Sequence, residues 1–244
     1  MTQLVTAIRY LTIVPVPGLA ALHTGPGASA AWFPVVGLLI GAVLVGVDRA
    51  VTTLFAPLLA ALLTVTTWKV MTGGLHLDGL ADCLDGLAGR SPAQRLAIMR
   101  DSRIGALGAV GLVLFLMLEL ATVSGIDSHA RWRALLVAPV VGRAMPPVLA
   151  RVFRAVPSGR AAAFGAELGR GAAPVAVVVA LAVAVSVLEI WGAVAFATSL
   201  IVALAVGAWM TRRLGGVSGD VHGAAIECTE LTVLLTMAAV SPAR

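Results

Sequence analysis

The segment 29–47 decides the class of fold, because its nineteen residues include no charged side chain: SAAWFPVVGLLIGAVLVGV. A helix needs about 20 mainly apolar residues to cross the hydrocarbon core of a bilayer. The segment is therefore predicted to span a membrane. Asp48 and Arg49 follow it directly and are predicted to form a tight polar turn, so that the next apolar run returns as the second arm of a hairpin.

Six further mainly apolar segments, each with at most two charged residues, lie at residues 50–68, 106–126, 134–150, 172–188, 190–210 and 223–240. Of the 244 residues, 59% are hydrophobic and 12% are charged, and the mean hydropathy is +1.00. One soluble domain would fit the length but not this apolar excess. The sequence predicts an all-α, polytopic integral membrane bundle of about six to seven transmembrane helices, formed as a single domain over residues 1–244 and surrounded by the lipid bilayer.

Arginine is concentrated in three connections, at residues 69–104, 151–170 and 211–222. If each apolar hairpin returns the chain to its starting side, all three face the same way, and the positive-inside rule makes that side the cytoplasm. Arg131 and Arg133, in a predicted short loop on the opposite side, count against this topology. The 17 Lys and Arg residues are scattered between apolar segments with few aromatic neighbours, so no nucleic-acid partner is expected.

Three side chains that often bind metals are given no such role. His23 follows a short amphipathic segment, residues 4–14, and is predicted to be a loop histidine. Cys83 and Cys228 are the only cysteines, and two single thiols without a CxxC pair make a poor zinc motif. Both are predicted to act as small apolar fillers.

An acidic motif occupies residues 72–86, with the sequence TGGLHLDGLADCLDG. On a helix, Asp82 lies about 40° from Asp78, and Asp85 lies about 20° to the other side, so the three carboxylates share one face. Acidic runs are usually solvated surfaces, but here the intervening residues are almost all apolar or glycine. Carboxylates this close repel one another unless some are protonated or a cation lies among them, and oxygen ligands favour Mg²⁺ or Mn²⁺.

A second acidic stripe begins the last apolar segment. If residues 219–230 are helical, Asp220 and Glu227 lie within about 20° of each other, and Glu230 lies about one turn beyond Glu227. With Asp101, the two motifs contain seven of the chain's twelve carboxylates. A shared metal cavity is predicted, and its candidate ligands are Asp78, Asp82, Asp85, Asp220, Glu227 and Glu230.

Cationic side chains accompany these carboxylates. Arg143 falls within an apolar segment, so it is predicted to face the bundle interior and to meet either a substrate anion or a buried carboxylate such as Glu119. Asp101 and Arg103 precede a glycine-containing helix start that suits phosphate. His76 and His222 are candidates for proton transfer, although helical geometry favours a supporting or capping role. Carboxylates that can hold a hard metal ion, arginines, and glycines that permit close backbone approach together indicate phosphoryl transfer.

Three ordered motifs resemble the cobalamin synthase family, the adenosylcobinamide-GDP ribazoletransferases. They are GGLHLDGLAD with DG at residues 73–86, MRDSRIG at 99–105, and GD with GAAIE and Glu230 at 219–230. YLT, PVP and WFP near the N-terminus also fit this family. The resemblance covers about residues 7–105 and 207–235, and residues 156–171 carry no matching motif.

The resemblance implies an integral enzyme of the bacterial cytoplasmic membrane, with its active site toward the cytoplasm. Such an enzyme joins adenosylcobinamide-GDP to α-ribazole or α-ribazole 5′-phosphate, releases GMP and requires Mg²⁺. Our hypothesis is that the acidic motif, helped by Asp101 or the second stripe, holds Mg²⁺ on the diphosphate. One carboxylate accepts the ribazole hydroxyl proton, and Arg103 or Arg143 stabilises the departing GMP. The candidate catalytic residues are Asp82, Asp85, Asp101, Arg103, Arg143 and His76.

Two alternatives stay open at this stage. Asp82-x-x-Asp85-Gly86 echoes the opening of the CDP-alcohol phosphotransferases, although the residues that follow do not give the spacing expected of that family. A cation-coupled or proton-coupled transporter would also use intramembrane carboxylates and a buried arginine. Such a transporter would place the stripes near the midplane of repeated halves, and no convincing internal repeat is present. The sequence also leaves open whether the chain forms a homo-oligomer.

Overall fold

The computed structural model describes residues 2–16, 25–157 and 159–241, so the predicted loop around His23 lies outside the described residues. The described chain is helical apart from its connections and one isolated bridge between Ala155 and Val217. A short 3₁₀ helix, Gly27–Trp32, leads directly into α2. The α-helices are α1 Thr2–Leu11, α2 Phe33–Thr52, α3 Pro57–Met71, α4 Leu75–Gly86, α5 Pro92–Met99, α6 Ala106–Gly125, α7 Ser128–Val152, α8 Arg160–Glu167, α9 Ala172–Leu188, α10 Ile190–Leu214 and α11 Gly219–Val240.

The predicted fold class, a polytopic helical membrane bundle, is confirmed. Within the described residues, five helices are long and apolar enough to cross a membrane, and up to seven spans result if each of two bent pairs counts as one. The bent pairs are α3 with α4, at 88°, and α8 with α9, at 92°. Two of the predicted spans, residues 50–68 and 172–188, are therefore represented by bent pairs rather than by single long helices.

The predicted turn at Asp48 and Arg49 is wrong. Helix α2 continues through both residues to Thr52, and the chain turns at residues 53–56, before Pro57 at the start of α3. Proline suits this position because N–H groups in the first turn of a helix have no intrahelical acceptor, so the N–H group that proline lacks costs no hydrogen bond. The carboxylate of Asp48 is buried inside the bundle rather than exposed in a turn, with Oδ1 3.4 Å from Nη1 of Arg131.

The prediction that Arg131 and Arg133 form a loop is also wrong, because both belong to α7. Asp127 caps α7 by accepting a hydrogen bond from the N–H of His129, and both arginines lie within the first turns of that helix. Arg131 is buried. It therefore does not count as a loop charge against the predicted topology.

Helix α7 lies at the centre of the bundle and packs closely against α2. Gly37 and Gly41 make this approach feasible, since a Cβ on Gly37 would lie 2.4 Å from the carbonyl oxygen of Pro139, and one on Gly41 2.6 Å from that of Leu136. Small residues at helix contacts are typical of membrane proteins, where close backbone approach replaces the hydrophobic effect between helices.

The acidic motif begins where the chain bends between α3 and α4. Gly73 and Gly74 have φ angles of 62° and 68°, a left-handed conformation that favours glycine. Helix α4 then packs on the start of α11. A Cβ on Gly79 would lie 2.8 Å from the carbonyl oxygen of Asp220, and one on Gly223 3.2 Å from the Cα of His76. The bend and this contact bring the two acidic motifs together.

Candidate active site

A cavity of about 790 Å³ lies where the three arginine-rich connections meet, so these connections lie at one end of the bundle, as the predicted topology requires. Helix α4, the loop between α5 and α6, the start of α8 and the start of α11 form its walls. The polar side chains that line it are Asp78, Asp82, Arg100, Asp101, Ser102, Arg103, Arg160, Ser218 and Asp220.

Three of the predicted metal ligands face this cavity together. Asp78 and Asp82 come from successive turns of α4, and Asp220 comes from the first turn of α11. The carboxylate of Asp82 lies within electrostatic reach of those of Asp78 and Asp220. Ser218 donates a hydrogen bond to Asp220, at 3.2 Å, while its hydroxyl also caps α11. The sequence correctly placed these three carboxylates together, whereas their role as ligands stays a prediction.

Asp85 shares their helix but has different partners. Its carboxylate is buried and accepts hydrogen bonds from the N–H groups of Gly105, at 2.7 Å, and Gly108, at 2.8 Å. These N–H groups belong to the start of α6, where a helix has no internal acceptors for them. Both oxygens of Asp85 thus cap α6 and fasten it to α4. The predicted catalytic and metal-binding roles of Asp85 are not favoured by this placement.

Asp101 and Arg103 line the cavity as a pair. Arg103 donates to Asp101 from Nε, at 3.0 Å, and from Nη2, at 2.7 Å. These hydrogen bonds lower the pKa of Asp101 to about 2. Asp101 is therefore a poor proton acceptor near neutral pH, and much of the charge of Arg103 is already matched by a carboxylate.

Glu227, Glu230 and Arg143 lie in the bundle interior, away from the cavity wall. The ammonium group of Lys69 lies 2.6 Å from Glu227 and 2.9 Å from Glu119, and Arg143 forms an ion pair with Glu230. The shared cavity predicted for both acidic stripes is thus wrong for Glu227 and Glu230, because buried cations hold them elsewhere. Arg143 meets a buried carboxylate, which was one of its two predicted partners.

The two candidate histidines, His76 and His222, do not line the main cavity. His76 and His222 are buried and line a side cavity of about 40 Å³, which they share with Asp78 and Asp220. The ring of His222 packs edge-on against Phe164, with 5.6 Å between centroids. This placement fits a supporting role better than direct contact with a substrate in the larger cavity.

Arg160 lies at this site and was not identified from the sequence. It begins α8 and lines both the main and the side cavity. No motif surrounds it, and only its position in an arginine-rich connection could have drawn attention to it. Ser218 was also missed, although a serine just before an acidic helix start is a common capping signal.

The family described as cobalamin-5-phosphate synthase matches residues 3–238. The chain belongs to this family. The match includes residues 156–171, for which the sequence motifs indicated no relationship, and it confirms the resemblance drawn from the acidic motifs.

Curated relatives of this cobalamin-5-phosphate synthase family member align with nearly its whole length. An adenosylcobinamide-GDP ribazoletransferase of Roseiflexus sp. (strain RS-1) is 39% identical over 241 residues, covering 98% of this chain and 90% of the relative. Proteins of the same name from Brevibacillus brevis and Geotalea daltonii are 33% and 36% identical, covering 97% and 96% of this chain and 98% and 96% of those relatives. No solved structure matches the chain. Neither the CDP-alcohol phosphotransferase nor the transporter alternative is favoured.

Proposed function

We propose that the protein is an adenosylcobinamide-GDP ribazoletransferase. It joins adenosylcobinamide-GDP to α-ribazole or α-ribazole 5′-phosphate, releases GMP and forms adenosylcobalamin or its 5′-phosphate. The observation that carries this proposal is the meeting of Asp78, Asp82 and Asp220 in one arginine-lined cavity, in a chain that belongs to the cobalamin-5-phosphate synthase family.

The cavity suits Mg²⁺ held jointly by protein and substrate. Among the described residues, no group of three or more His, Cys, Asp or Glu side chains is arranged to hold a metal ion alone. Mg²⁺ usually binds one or two carboxylates and takes its other ligands from water and substrate phosphates. Asp78 and Asp82, with Asp220 opposite, would supply those carboxylates. When bound, Mg²⁺ would neutralise charge on the diphosphate.

In the proposed reaction, a ribazole hydroxyl oxygen bonds to the phosphorus atom that carries the corrinoid. The bond from that phosphorus to the oxygen of GMP breaks, and GMP keeps the electron pair. The hydroxyl proton passes to Asp78 or Asp82, the carboxylates whose helix forms the cavity wall. The packing of α4 on α11 holds these carboxylates beside Asp220, so that positioning and charge neutralisation supply most of the catalysis.

The proposed location is the bacterial cytoplasmic membrane, with the cavity toward the cytoplasm. Support comes from the three arginine-rich connections that converge on the cavity, since short cytoplasmic connections carry an excess of Lys and Arg. Phosphorylated, water-soluble substrates would then reach the site without crossing the bilayer.

The test is to incubate detergent-purified protein with adenosylcobinamide-GDP, α-ribazole and Mg²⁺, with and without a chelator. GMP and the cobalamin product are then measured together. Metal-dependent appearance of both products in equal amounts is expected. If folded protein yields neither product, the proposed function is wrong, and turnover that persists in the chelator would contradict the Mg²⁺ requirement alone.

A further inference from the structure

Arg160 is placed at the cavity by two local constraints. The backbone of residues 154–156 pairs with Val217, whose N–H donates to the carbonyl of Arg154 at 2.8 Å and whose carbonyl accepts from Val156 at 3.0 Å. Gly159 then turns the chain with a φ of 118°, a conformation that L side chains rarely adopt. These contacts fix the start of α8 beside the start of α11.

The position of Arg160 relative to α11 is correspondingly close. A Cβ on Gly219 would lie 3.5 Å from the Cβ of Arg160, so the arginine stands next to the residue that precedes Asp220. Its positive charge acts on the carboxylates of both Asp82 and Asp220. Arg160 is therefore a cation on the same wall as the carboxylates proposed to bind the metal.

The two arginines suggested by the sequence have other carboxylate partners. Arg103 is bound to Asp101 through two hydrogen bonds, and Arg143 is buried in the interior with Glu230. Within the part of the chain that the structure describes, no carboxylate forms an ion pair with Arg160, and its side chain is exposed to the cavity. Its guanidinium group has donors available for an anionic ligand.

We propose that Arg160 binds the diphosphate of the nucleotide-activated corrinoid. This inference rests on the proposed function and assigns one side chain to one substrate. A guanidinium group presents paired donors that match two phosphate oxygens, and such charge-assisted pairs are stronger than neutral hydrogen bonds. A diphosphate seated against Asp78, Asp82 and a shared cation would place its oxygens beside Arg160. The acceptor α-ribazole carries no phosphate, so it offers Arg160 no anionic group to bind.

The kinetic test compares Arg160→Gln and Arg160→Lys with Arg154→Gln in the full chain. Arg154 is a matched control, because it is exposed on the same connection but does not line the cavity. Arg160→Gln should lower kcat/KM for adenosylcobinamide-GDP by roughly 10- to 100-fold, the range expected for a lost hydrogen bond to a charged group. Arg160→Lys should recover part of this loss, and KM for α-ribazole should stay unchanged.

The identity of the acceptor separates two assignments. If Arg160→Gln raises KM for α-ribazole 5′-phosphate but leaves kcat/KM for adenosylcobinamide-GDP unchanged, Arg160 binds the acceptor's phosphate and the inference is overturned. An equal loss with either acceptor supports the diphosphate assignment. Arg154→Gln should behave like the wild type. An equal loss in that variant would show that any lost surface charge has this effect, and it would overturn the assignment to Arg160.

A binding measurement makes the inference independent of turnover. GDP in the presence of Mg²⁺ provides a diphosphate, and its affinity can be measured by titration calorimetry on the purified protein. Arg160→Gln should weaken GDP binding by roughly 10-fold or more, while Arg154→Gln should not. Absent GDP binding in the wild type, or equal affinity in all variants, overturns the assignment. Absent turnover with Arg160-dependent GDP binding would instead contradict the proposed reaction.

Discussion

Lys69 and Glu227 form a buried ion pair across the bundle, with Nζ 2.6 Å from Oε2. Lys69 lies near the end of α3, just before the left-handed turn at Gly73, and Glu227 lies in the third turn of α11. Glu119 of α6 binds the same ammonium group at 2.9 Å. One lysine therefore fastens together the helices that precede, flank and face the acidic motif.

Replacing Lys69 by Met should destabilise the protein strongly. The change leaves Glu119 and Glu227 buried without their cation, and breaking a buried ion pair typically costs about 3–5 kcal/mol. The apparent melting temperature in detergent, followed by fluorescence-detected size exclusion, should fall clearly. The double variant Lys69→Met, Glu227→Gln removes one uncompensated charge and should recover part of the loss. A single variant that melts like the wild type would show that this pair does not hold the helices.

Asp82→Asn should abolish most activity without affecting stability. The side chain keeps its size and lies on the cavity wall, but it loses the charge proposed to bind metal or accept a proton. Turnover should fall by about 100-fold or more, the scale of acid–base and electrostatic contributions in enzymes. Asp127→Asn is the matched control, because Asp127 caps α7 away from the cavity and asparagine caps helices equally well. Near-normal turnover by folded Asp82→Asn would contradict the site assignment.

Asp85→Asn should have the opposite effect to Asp82→Asn, with a large loss of stability and a small loss of turnover. Its amide group can replace only one of the two carboxylate oxygens that accept from Gly105 and Gly108. An amide nitrogen then faces a backbone N–H at the start of α6, and a buried unsatisfied donor costs about 1–3 kcal/mol. The melting temperature should fall, while turnover per folded molecule should fall far less than in Asp82→Asn. A large loss of turnover at unchanged stability would return Asp85 to the list of catalytic candidates.

The sequence predicted the helices well because long apolar runs depend little on distant partners. It misplaced the first hairpin turn because the partner of Asp48 is Arg131, which lies 83 residues further along the chain. Helical periodicity correctly placed Asp78 and Asp82 on the same side of α4. It could not tell that Asp85 would cap α6 or that Glu227 would bind Lys69, which is 158 residues away in sequence.

Arg160 marks the limit of motif-based prediction at this site. The functional importance proposed for it comes from the pairing of its connection with Val217, which brings α8 beside α11. Neither its neighbours in the chain nor its spacing from other charged residues indicates that contact. The position of Arg160 depends on hydrogen bonds between distant backbone segments, so its place at the cavity can be recognised only from the folded structure.

The contact between α4 and α11 provides a last prediction, through Gly79. A methyl group there would lie 2.8 Å from the carbonyl oxygen of Asp220, closer than real Cβ contacts allow, and the obstacle is backbone rather than a mobile side chain. Gly79→Ala should push α4 from α11 and separate Asp78 and Asp82 from Asp220. We expect turnover to fall by about 10-fold or more, since small displacements of catalytic groups cost that much.

Gly46→Ala is the control for this substitution, because a Cβ at Gly46 in α2 meets no atom within 4 Å. Alanine favours a helix over glycine by about 1 kcal/mol, so Gly46→Ala should be neutral or stabilising in melting experiments and should leave turnover unchanged. If Gly79→Ala also retains full turnover, the close approach of α4 and α11 is not needed to assemble the carboxylates. If both variants lose activity equally, the loss at Gly79 cannot be assigned to that contact.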